Sequence, residues 1–295
     1  MKCLRWMTMG WVVCLAVRVL GAYGDSRLAN FSCLATVRSD DPNPLTLGFV
    51  SVTTDVPPLG EPLLLRAVGP TLAQFGISDG LQSPEMTLWK SGQMLYPITG
   101  HDQAAAGAAI TVGAFPLTAG SADAAVLISL APGDYTLVIS GPANAGATVL
   151  GEIYDQAFTF ASNYLANLSA LSYIHASSAN TVGFVLAGSV SRSVLIRAIG
   201  PSLANFGVAQ AMPDPMIVLH AAADGTEGDI ASNAGWLGSP SVEAAASTAG
   251  AFSLAPGSKD AAMVVTLPPG AYTFTVSSMS GAAGTTLAEV YLLPE

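Results

Sequence analysis

The sequence carries few charged side chains, and basic ones are the scarcest. Charged residues make up 10% of the 295 positions, with ten basic residues against twenty acidic ones and a net charge of −10 at pH 7. A protein that binds nucleic acid neutralises phosphates with clustered lysine and arginine. So few basic residues form no such patch, and the sequence therefore argues against nucleic-acid binding.

Cysteine is almost absent as well. Of the three cysteines, Cys3 and Cys14 fall in the first 14 residues, and Cys33 is the one that remains beyond them. A fold that is cross-linked by internal disulfides needs an even number of cysteines in the mature chain. We expect the fold to rest on its hydrophobic core, with Cys33 as a small buried residue.

Long hydrophobic runs are missing beyond the N-terminus, so no membrane span is predicted after it. Residues 1–24 have the layout of a secretory signal peptide, with basic Lys2 and Arg5, an apolar run over 6–17 and small residues before Asp25. Cleavage would leave seven basic residues against all twenty acidic ones, a net charge of −13. The sequence predicts a secreted, extracellular or cell-surface protein, with the periplasm as the alternative.

An internal repeat is the main feature that the sequence does contain. Residues 63–77, LLLRAVGPTLAQFGI, return as VLIRAIGPSLANFGV at 194–208, with nine of fifteen positions identical. Residues 113–141 return at 250–278 with fifteen of 29 positions identical. Such self-similarity marks a repeated structural unit. The chain therefore contains two copies of one unit.

Each copy has the pattern of short strands. Residues 124–130 form a continuous apolar run, typical of a strand buried on both faces, and Tyr135, Leu137 and Ile139 alternate with less apolar residues. Eight or nine such segments per copy, separated by Gly/Pro turns, predict an all-β protein with two tandem antiparallel β-sandwich (jelly-roll-like) domains.

The predicted division of the chain follows the repeat. The Ala-, Gly- and Ser-rich stretches at 99–111 and 231–249 are the least alike parts of the copies and are predicted to be exposed loops. Because the linker is apolar and carries Phe158 and Phe160, we expect the two domains to be separately folded and closely docked. The predicted parts are a signal peptide at 1–24, repeat 1 at 25–156, the linker at 157–163 and repeat 2 at 164–295.

A resemblance to a known family rests on several motifs of the second copy. LIRAIGPSLANFGV, DPMIVLH, AFSLAPGSKDAAMVVTLPPGAYTFTVSS and AEVY resemble a β-sandwich repeat of large exported bacterial surface proteins. The PGAYTFTV segment is also similar to bacterial pre-peptidase C-terminal domains. The first resemblance implies an exported module without an established biochemical activity.

Six charged residues recur between the copies inside otherwise apolar strands. A catalytic role would require a cleft and a nucleophile, which the motifs do not supply, whereas a charge in a core persists when it is paired. We expect each arginine to reach one of the recurring carboxylates. These predicted structural anchors are Arg66, Asp123 and Glu152 in copy 1, and Arg197, Asp260 and Glu289 in copy 2.

Other residues suggest a ligand or a metal. The tryptophans and polar residues in or near the divergent middle regions are candidate ligand-loop residues: Trp89, Asp102, Asn233 and Trp236. Asp224, Glu227 and Asp229 could offer carboxylates to calcium, but they lack the full ligand pattern of a calcium loop, and the sequence favours a solvated hairpin turn. No other cofactor is predicted.

The sequence favours a non-catalytic exported protein with a structural or adhesive role at the cell surface or outside the cell. The alternative is a module that binds carbohydrate or protein through its middle loops. An enzyme is not predicted, because no Gly-x-Ser-x-Gly elbow and no ligand spacing among the three histidines is present. The predicted partner is an unidentified exported protein or a glycan.

Overall fold

The computed structural model describes residues 26–53, 60–142, 146–156, 163–221 and 228–294. The elements of copy 1 are β1 (Arg27–Val37), β2 (Leu45–Thr53), β3 (Glu61–Val68), the 3₁₀ helix η1 (Pro70–Phe75), β4 (Glu85–Lys90), β5 (Gln93–Thr99), α1 (Gln103–Val112), β6 (Ala124–Leu130), β7 (Gly133–Ser140) and β8 (Ala147–Asp155). The elements of copy 2 are β9 (Asn163–Ile174), β10 (Ala179–Ala187), β11 (Arg192–Ile199), η2 (Pro201–Phe206), β12 (Pro215–Ala221), β13 (Asp229–Asn233), α2 (Pro240–Ala249), β14 (Ala261–Leu267), β15 (Gly270–Ser278) and β16 (Gly284–Leu292).

The described strands pair antiparallel throughout, which confirms the all-β prediction. They form two ladders of eight strands each. One ladder runs β13-β12-β15-β10-β1-β8-β3-β6, and the other runs β5-β4-β7-β2-β9-β16-β11-β14. The ladders meet at one further pair, Leu28 with Leu165.

Each ladder takes four strands from each copy. β1 does not pair with β2 of its own copy but with β10, and β2 pairs with β9. The arrangement of two self-contained sandwiches is therefore not confirmed, since the sheets continue from one copy into the other. The close association of the copies comes from these main-chain ladders, while Phe158, Phe160 and the rest of 157–162 lie outside the described residues.

The two ladders pack face to face around a hydrophobic core. A side chain at Gly151 on β8 would meet Leu47 on β2 and Ile139 on β7, so these strands belong to facing sheets. The core joins inward side chains of both copies, such as Phe49 and Phe184, in one cluster. The alternation in β7 directs Tyr135, Leu137 and Ile139 inward as predicted.

A third layer covers the outer face of the last two strands at one end of each ladder, β3 and β6 in copy 1 and β11 and β14 in copy 2. α1 packs on Leu64 and Ala125, and α2 packs on the equivalent strands of copy 2. The prediction of exposed loops at 99–111 and 231–249 is therefore wrong over these helices. Their small alanine side chains let each helix lie close on a flat sheet, and Asp102 begins α1 by accepting a 2.8 Å hydrogen bond from Ala105 N.

The repeated stretch 63–77 forms a strand followed by a tight turn. β3 is buried and leads through Gly69 into η1, whose Leu72 is buried in a small cluster on the outer face. A Cβ at Gly69 would lie 1.9 Å from the carbonyl oxygen of Leu81, so the close approach of these backbones requires glycine here. Among the described residues, no helix has the length and apolar character needed to cross a membrane.

Candidate functional site

The recurring charges of copy 1 form a buried ion pair under α1. Arg66 on β3 lies opposite Glu152 on β8, with 2.9 Å between Arg66 Nε and Glu152 Oε2. Arg66 Nη1 donates to the carbonyl oxygen of Phe115 at 2.9 Å, and its guanidinium stands 4.4 Å from the ring centroid. Tyr154 Oη donates to Glu152 Oε1 at 2.7 Å. Phe115 and Tyr154 thus hold the pair in one geometry.

Copy 2 repeats this centre residue for residue. Arg197 Nε donates to Glu289 Oε2 at 2.8 Å, and Nη2 lies 2.5 Å from the same oxygen. Its Nη1 donates to Phe252 O at 2.6 Å, with the ring centroid 4.5 Å away, and Tyr291 donates to Glu289 at 2.9 Å. Burial raises the pKa of Glu289, and the positive charge of Arg197 opposes this shift.

Burial limits the access of any substrate to these two ion pairs. Both arginines are fully buried, and Glu152 and Glu289 are almost fully buried. Burial also raises the pKa of Glu152, with Arg66 opposing the shift. A substrate would have to displace the covering helix layer to touch them. The geometry is that of charges which join strands and the layer above them.

The recurring aspartates have different partners from the recurring glutamates. Asp123 Oδ1 accepts from Gly69 N at 2.7 Å, and its other oxygen accepts from Thr71 Oγ1 and from Ser121 Oγ. It therefore satisfies the first amide groups of η1, which a helix leaves without partners. The expected alternative, an ion pair with Arg66, is not what Asp123 makes.

Asp260 repeats this cap in copy 2. It accepts from Gly200 N at 2.8 Å, from Ser202 Oγ at 2.5 Å and from Ser258 Oγ at 2.5 Å. The hydroxyl partners recur in the sequence as Thr or Ser at equivalent positions. That recurrence is the signal by which these residues could have been found.

One ring from each divergent middle region reaches the aspartate cap. His101 Nε2 lies 3.4 Å from Ser121 Oγ, and Trp236 Nε1 donates to Ser258 Oγ at 3.1 Å. A hydrolase triad places histidine between serine and carboxylate, so that the histidine takes the serine proton. Here Ser121 lies between His101 and Asp123 and donates to the carboxylate, so the order differs from that of a triad.

The four candidate ligand-loop residues do not converge on one site. Asp102 caps α1, and Asn233 Oδ1 accepts from Ala262 N at 2.9 Å. Trp236 is 8% exposed and packs in the cluster under α2. Trp89 on β4 is half-buried, and its buried indole N–H has no hydrogen-bond partner among the described residues.

The residues proposed for calcium are only partly described. Asp224 and Glu227 lie outside the described residues, and Asp229 begins β13 with its side chain 72% exposed, 3.0 Å from His220 Nδ1. Within the described ranges, no group of three or more His, Cys, Asp or Glu side chains is placed to hold a metal ion. Cys33 is buried, which raises the pKa of its thiol to about 12.

A cavity of about 420 Å³ lies where the two ends of the described chain meet. Its lining includes Arg27, Tyr164 and Arg192. Arg192 Nη1 donates to Ser26 O at 3.3 Å and Nη2 donates to Leu293 O at 2.8 Å, so one side chain holds both ends. Arg27 is the equivalent of Tyr164, and Arg192 is the equivalent of Glu61, so recurrence between the copies does not mark these residues.

Comparisons with known proteins add little to this geometry. Comparison with protein-family models finds no match, and comparison with curated proteins finds none either. Among solved structures, the chain is similar to one titled "Structure of PNGF-II in C2 space group", with 11% identity and a TM-score of 0.24. The match covers 93% of this chain and 62% of that chain, so this chain spans less than two thirds of that protein's length. A likeness this weak carries no argument.

Proposed function

We propose that this is a non-catalytic exported protein whose two repeats form one stiff unit with a structural or adhesive role at the cell surface or outside the cell. The observation that carries the proposal is the pairing of strands across the boundary between the copies, by which each sheet continues from one copy into the other. The β1–β10 and β2–β9 ladders must break before the copies can separate. A unit built this way resists separation of its two halves under load.

The position of the two chain ends supports an adhesive role. Ser26 and Leu293 both accept hydrogen bonds from Arg192, so whatever precedes and follows them leaves the fold at one place. An anchor at either end would leave the opposite face of the unit free for contact, which suits adhesion.

The use of the recurring charges supports a non-catalytic role. Each of Arg66, Glu152, Arg197 and Glu289 is occupied by an ion pair and hydrogen bonds inside the fold. Export is supported by the signal-peptide pattern of residues 1–24, which lie outside the described part of the chain. The low charge content agrees with a protein that relies on its core.

Binding of a carbohydrate or protein is the second candidate, and β5 favours it. Met94 and Tyr96 are 57% and 51% exposed on this strand, and Leu95 between them is also exposed. Met94 is the cross-strand neighbour of Trp89. Exposed apolar side chains grouped beside an indole are typical of interaction surfaces. The proposed surface thus moves from the middle loops to the β4–β5 hairpin.

Secretion and binding can be tested together on protein purified from the medium or cell surface of the producing cells. N-terminal sequencing should find a start near Asp25, and an intact Met1 would contradict export. Immobilised mature protein should then capture cells, exported proteins or glycans. Met94→Ser/Tyr96→Ser should reduce capture if β5 is the surface, whereas Ile110→Ser, which alters an 82% exposed residue on α1, should not. Turnover of a captured ligand by the parent protein would contradict the non-catalytic proposal.

A further inference from the structure

A pair of phenylalanine rings lies beside the buried arginine in each copy. In copy 1 the rings of Phe75 and Phe115 meet edge to face, with 4.8 Å between their centroids and 70° between their planes. In copy 2 Phe206 and Phe252 repeat this contact at 4.7 Å and 62°. The guanidinium of Arg197 lies 4.5 Å from the centroid of Phe252, so the inner ring is held from below and positions the outer ring.

The two copies differ in how far the outer ring is covered. Phe75 is half-buried and packs against the small outer cluster that contains Leu72. Phe206, at the equivalent position, is 61% exposed. A single exposed ring is common on protein surfaces, so the groups around Phe206 decide what the ring can contact.

The residue before each outer ring carries a side-chain amide, which copy 1 uses inside the fold. Gln74 Nε2 donates to Thr118 Oγ1 at 2.7 Å. The equivalent positions of copy 2 hold Asn205 and Ala255, and the alanine offers the amide no hydroxyl. Asn205 is exposed. The second copy therefore presents both a ring and an amide to solvent at adjacent positions.

The ring and the amide stand on η2, a short turn whose backbone is fixed at both ends. Asp260 accepts from Gly200 N at 2.8 Å and from Ser202 N at 3.2 Å at its start. Gly207 ends the turn in a left-handed conformation, and its N–H donates to Ala204 O at 3.1 Å. A surface that is already ordered loses little conformational freedom when a ligand binds to it.

The segments that carry the two rings of copy 2 are uncharged. Residues 200–212 and 250–258, all within the described part of the chain, include no Asp, Glu, Lys or Arg. Phe206 is the one large apolar side chain exposed in these two segments, where Asn205, Gln210 and Ser253 are also exposed. The outer ring is therefore accompanied by neutral polar groups.

This composition favours one class of ligand over others. A protein or lipid surface is bound by several large apolar side chains together, and an anionic ligand is bound by cationic side chains. A neutral sugar has an apolar face of C–H groups, which packs on an aromatic ring, and hydroxyl groups, which exchange hydrogen bonds with amides. One exposed ring beside a side-chain amide matches these two features.

We propose that Phe206 and Asn205 form a binding platform for a neutral sugar. The ring of Phe206 packs on the apolar face of one sugar residue, and the amide of Asn205 hydrogen-bonds to its hydroxyl groups. The inference rests on the adhesive role proposed above, and it gives that role a ligand class and a site separate from β5. Copy 1 forms no second platform of this kind, because Phe75 is half-buried and Gln74 is bonded to Thr118.

The test is isothermal titration calorimetry of the full mature chain with four neutral oligosaccharides: cellohexaose, laminarihexaose, mannohexaose and maltohexaose. We expect at least one of them to bind. Phe206→Ser should weaken that binding about tenfold, since the ring contact is lost. Phe206→Trp, which offers a larger ring, should bind at least as tightly as the parent. Asn205→Ala should weaken binding by about twofold to tenfold, the range for one hydrogen bond.

Phe75→Ser is the matched control, because it changes the equivalent ring of copy 1. It should leave the affinity for the sugar unchanged, even where the loss of a half-buried ring lowers the melting temperature. The melting temperature of every variant is measured beside the parent. Because Phe206 is largely exposed, Phe206→Ser should melt close to the parent, so that its loss of affinity is not a loss of fold.

Several results would overturn the platform, and they differ from those that would overturn the adhesive role. If none of the four sugars binds while the mature protein still captures cells, adhesion stands and the platform is wrong. Sugar binding that survives in Phe206→Ser and is lost in Met94→Ser/Tyr96→Ser would place the site on β5 instead. Capture of an exported protein, without sugar binding, that is lost in both Phe206→Ser and Leu237→Ser would identify an apolar protein contact, since Leu237 is 90% exposed.

Discussion

Arg66 and Glu152 face each other across neighbouring strands, 2.9 Å apart and buried beneath a helix, and Arg197 and Glu289 repeat the relationship in the second copy. In each copy the arginine also binds a carbonyl oxygen of the covering layer, and the glutamate accepts from a tyrosine two residues along its own strand. The pair therefore joins two strands to the layer above. Duplication has preserved the whole set of contacts.

We predict that Arg66→Met destabilises the protein strongly, because Glu152 would remain buried without its partner. Loss of one member of a buried pair costs about 3–5 kcal/mol, which corresponds to a fall of about 6–20 °C in melting temperature. Calorimetry at pH 7 measures the shift. Replacing both members, as in Arg66→Met/Glu152→Leu, should recover part of the loss, because no charge is then left uncompensated.

Lys259→Met is the control for this series, since Lys259 is exposed and should change the melting temperature little. Lys90, which the sequence would suggest as a surface lysine, is less suitable. Its ammonium group donates to Tyr135 Oη at 2.9 Å and to Pro132 O at 3.2 Å. An Arg66→Met protein that melts like the parent and loses a binding partner would assign Arg66 to a functional site.

The sequence predicts the strands and the buried charges because both leave local patterns. Alternation in β7 fixes which side chains enter the core, and recurrence singles out Arg66 with Glu152. The pairing of β1 with β10 and of β2 with β9 across the two copies leaves no such pattern. A strand with a given apolar face satisfies the core equally well beside β2 or beside β10, since alternation specifies a face and not a partner.

The sequence does not predict the helices, for a different reason. α1 is built largely from alanine and glycine, so apolar periodicity gives little contrast between its two faces. Its end signals were present: Asp102 caps the start, and Gly113 ends it in a left-handed conformation. The buried acids Glu61 and Asp155 could not be found by recurrence, because copy 2 has Arg192 and Leu292 at the equivalent positions.

Two glycines should respond in opposite ways to alanine. Gly69→Ala would place a Cβ 1.9 Å from Leu81 O, and the backbone must move to relieve the clash, so we expect a loss in the free energy of unfolding comparable with that of Arg66→Met. Gly107 lies inside α1 with open space around it, and Gly107→Ala should stabilise by about 0.5–1 kcal/mol through helix propensity. Chemical denaturation measures both. Equal effects of the two changes would contradict the close approach at Gly69.

Cutting the chain between the copies should not separate them. A protease site introduced into 157–162 breaks the covalent connection but leaves the β1–β10 and β2–β9 ladders intact. Size-exclusion chromatography with light scattering should therefore find the cut protein at its original mass under native conditions, and two fragments only after denaturation. Release of two folded halves without denaturant would show that the ladders between the copies are weaker than those within them.

The shared ladders also predict how the protein unfolds. If each copy were a self-contained sandwich, calorimetry would resolve two transitions, and Arg66→Met would lower only one of them. Because each sheet draws four strands from each copy, unfolding one copy removes the pairing partners of β1 or β9 in the other. We therefore expect one cooperative transition whose calorimetric and van't Hoff enthalpies agree.

Arg66→Met and Arg197→Met provide the decisive comparison, since the two arginines occupy equivalent positions in the two copies. Each change should move the same single transition, and the two shifts should be similar because the ion pairs and their covering contacts are alike. The double variant should still unfold in one step at a lower temperature, with nearly additive losses if the centres do not influence each other. A transition that splits in either single variant, with one part left at the parent temperature, would show that the copies unfold independently despite the strands they share.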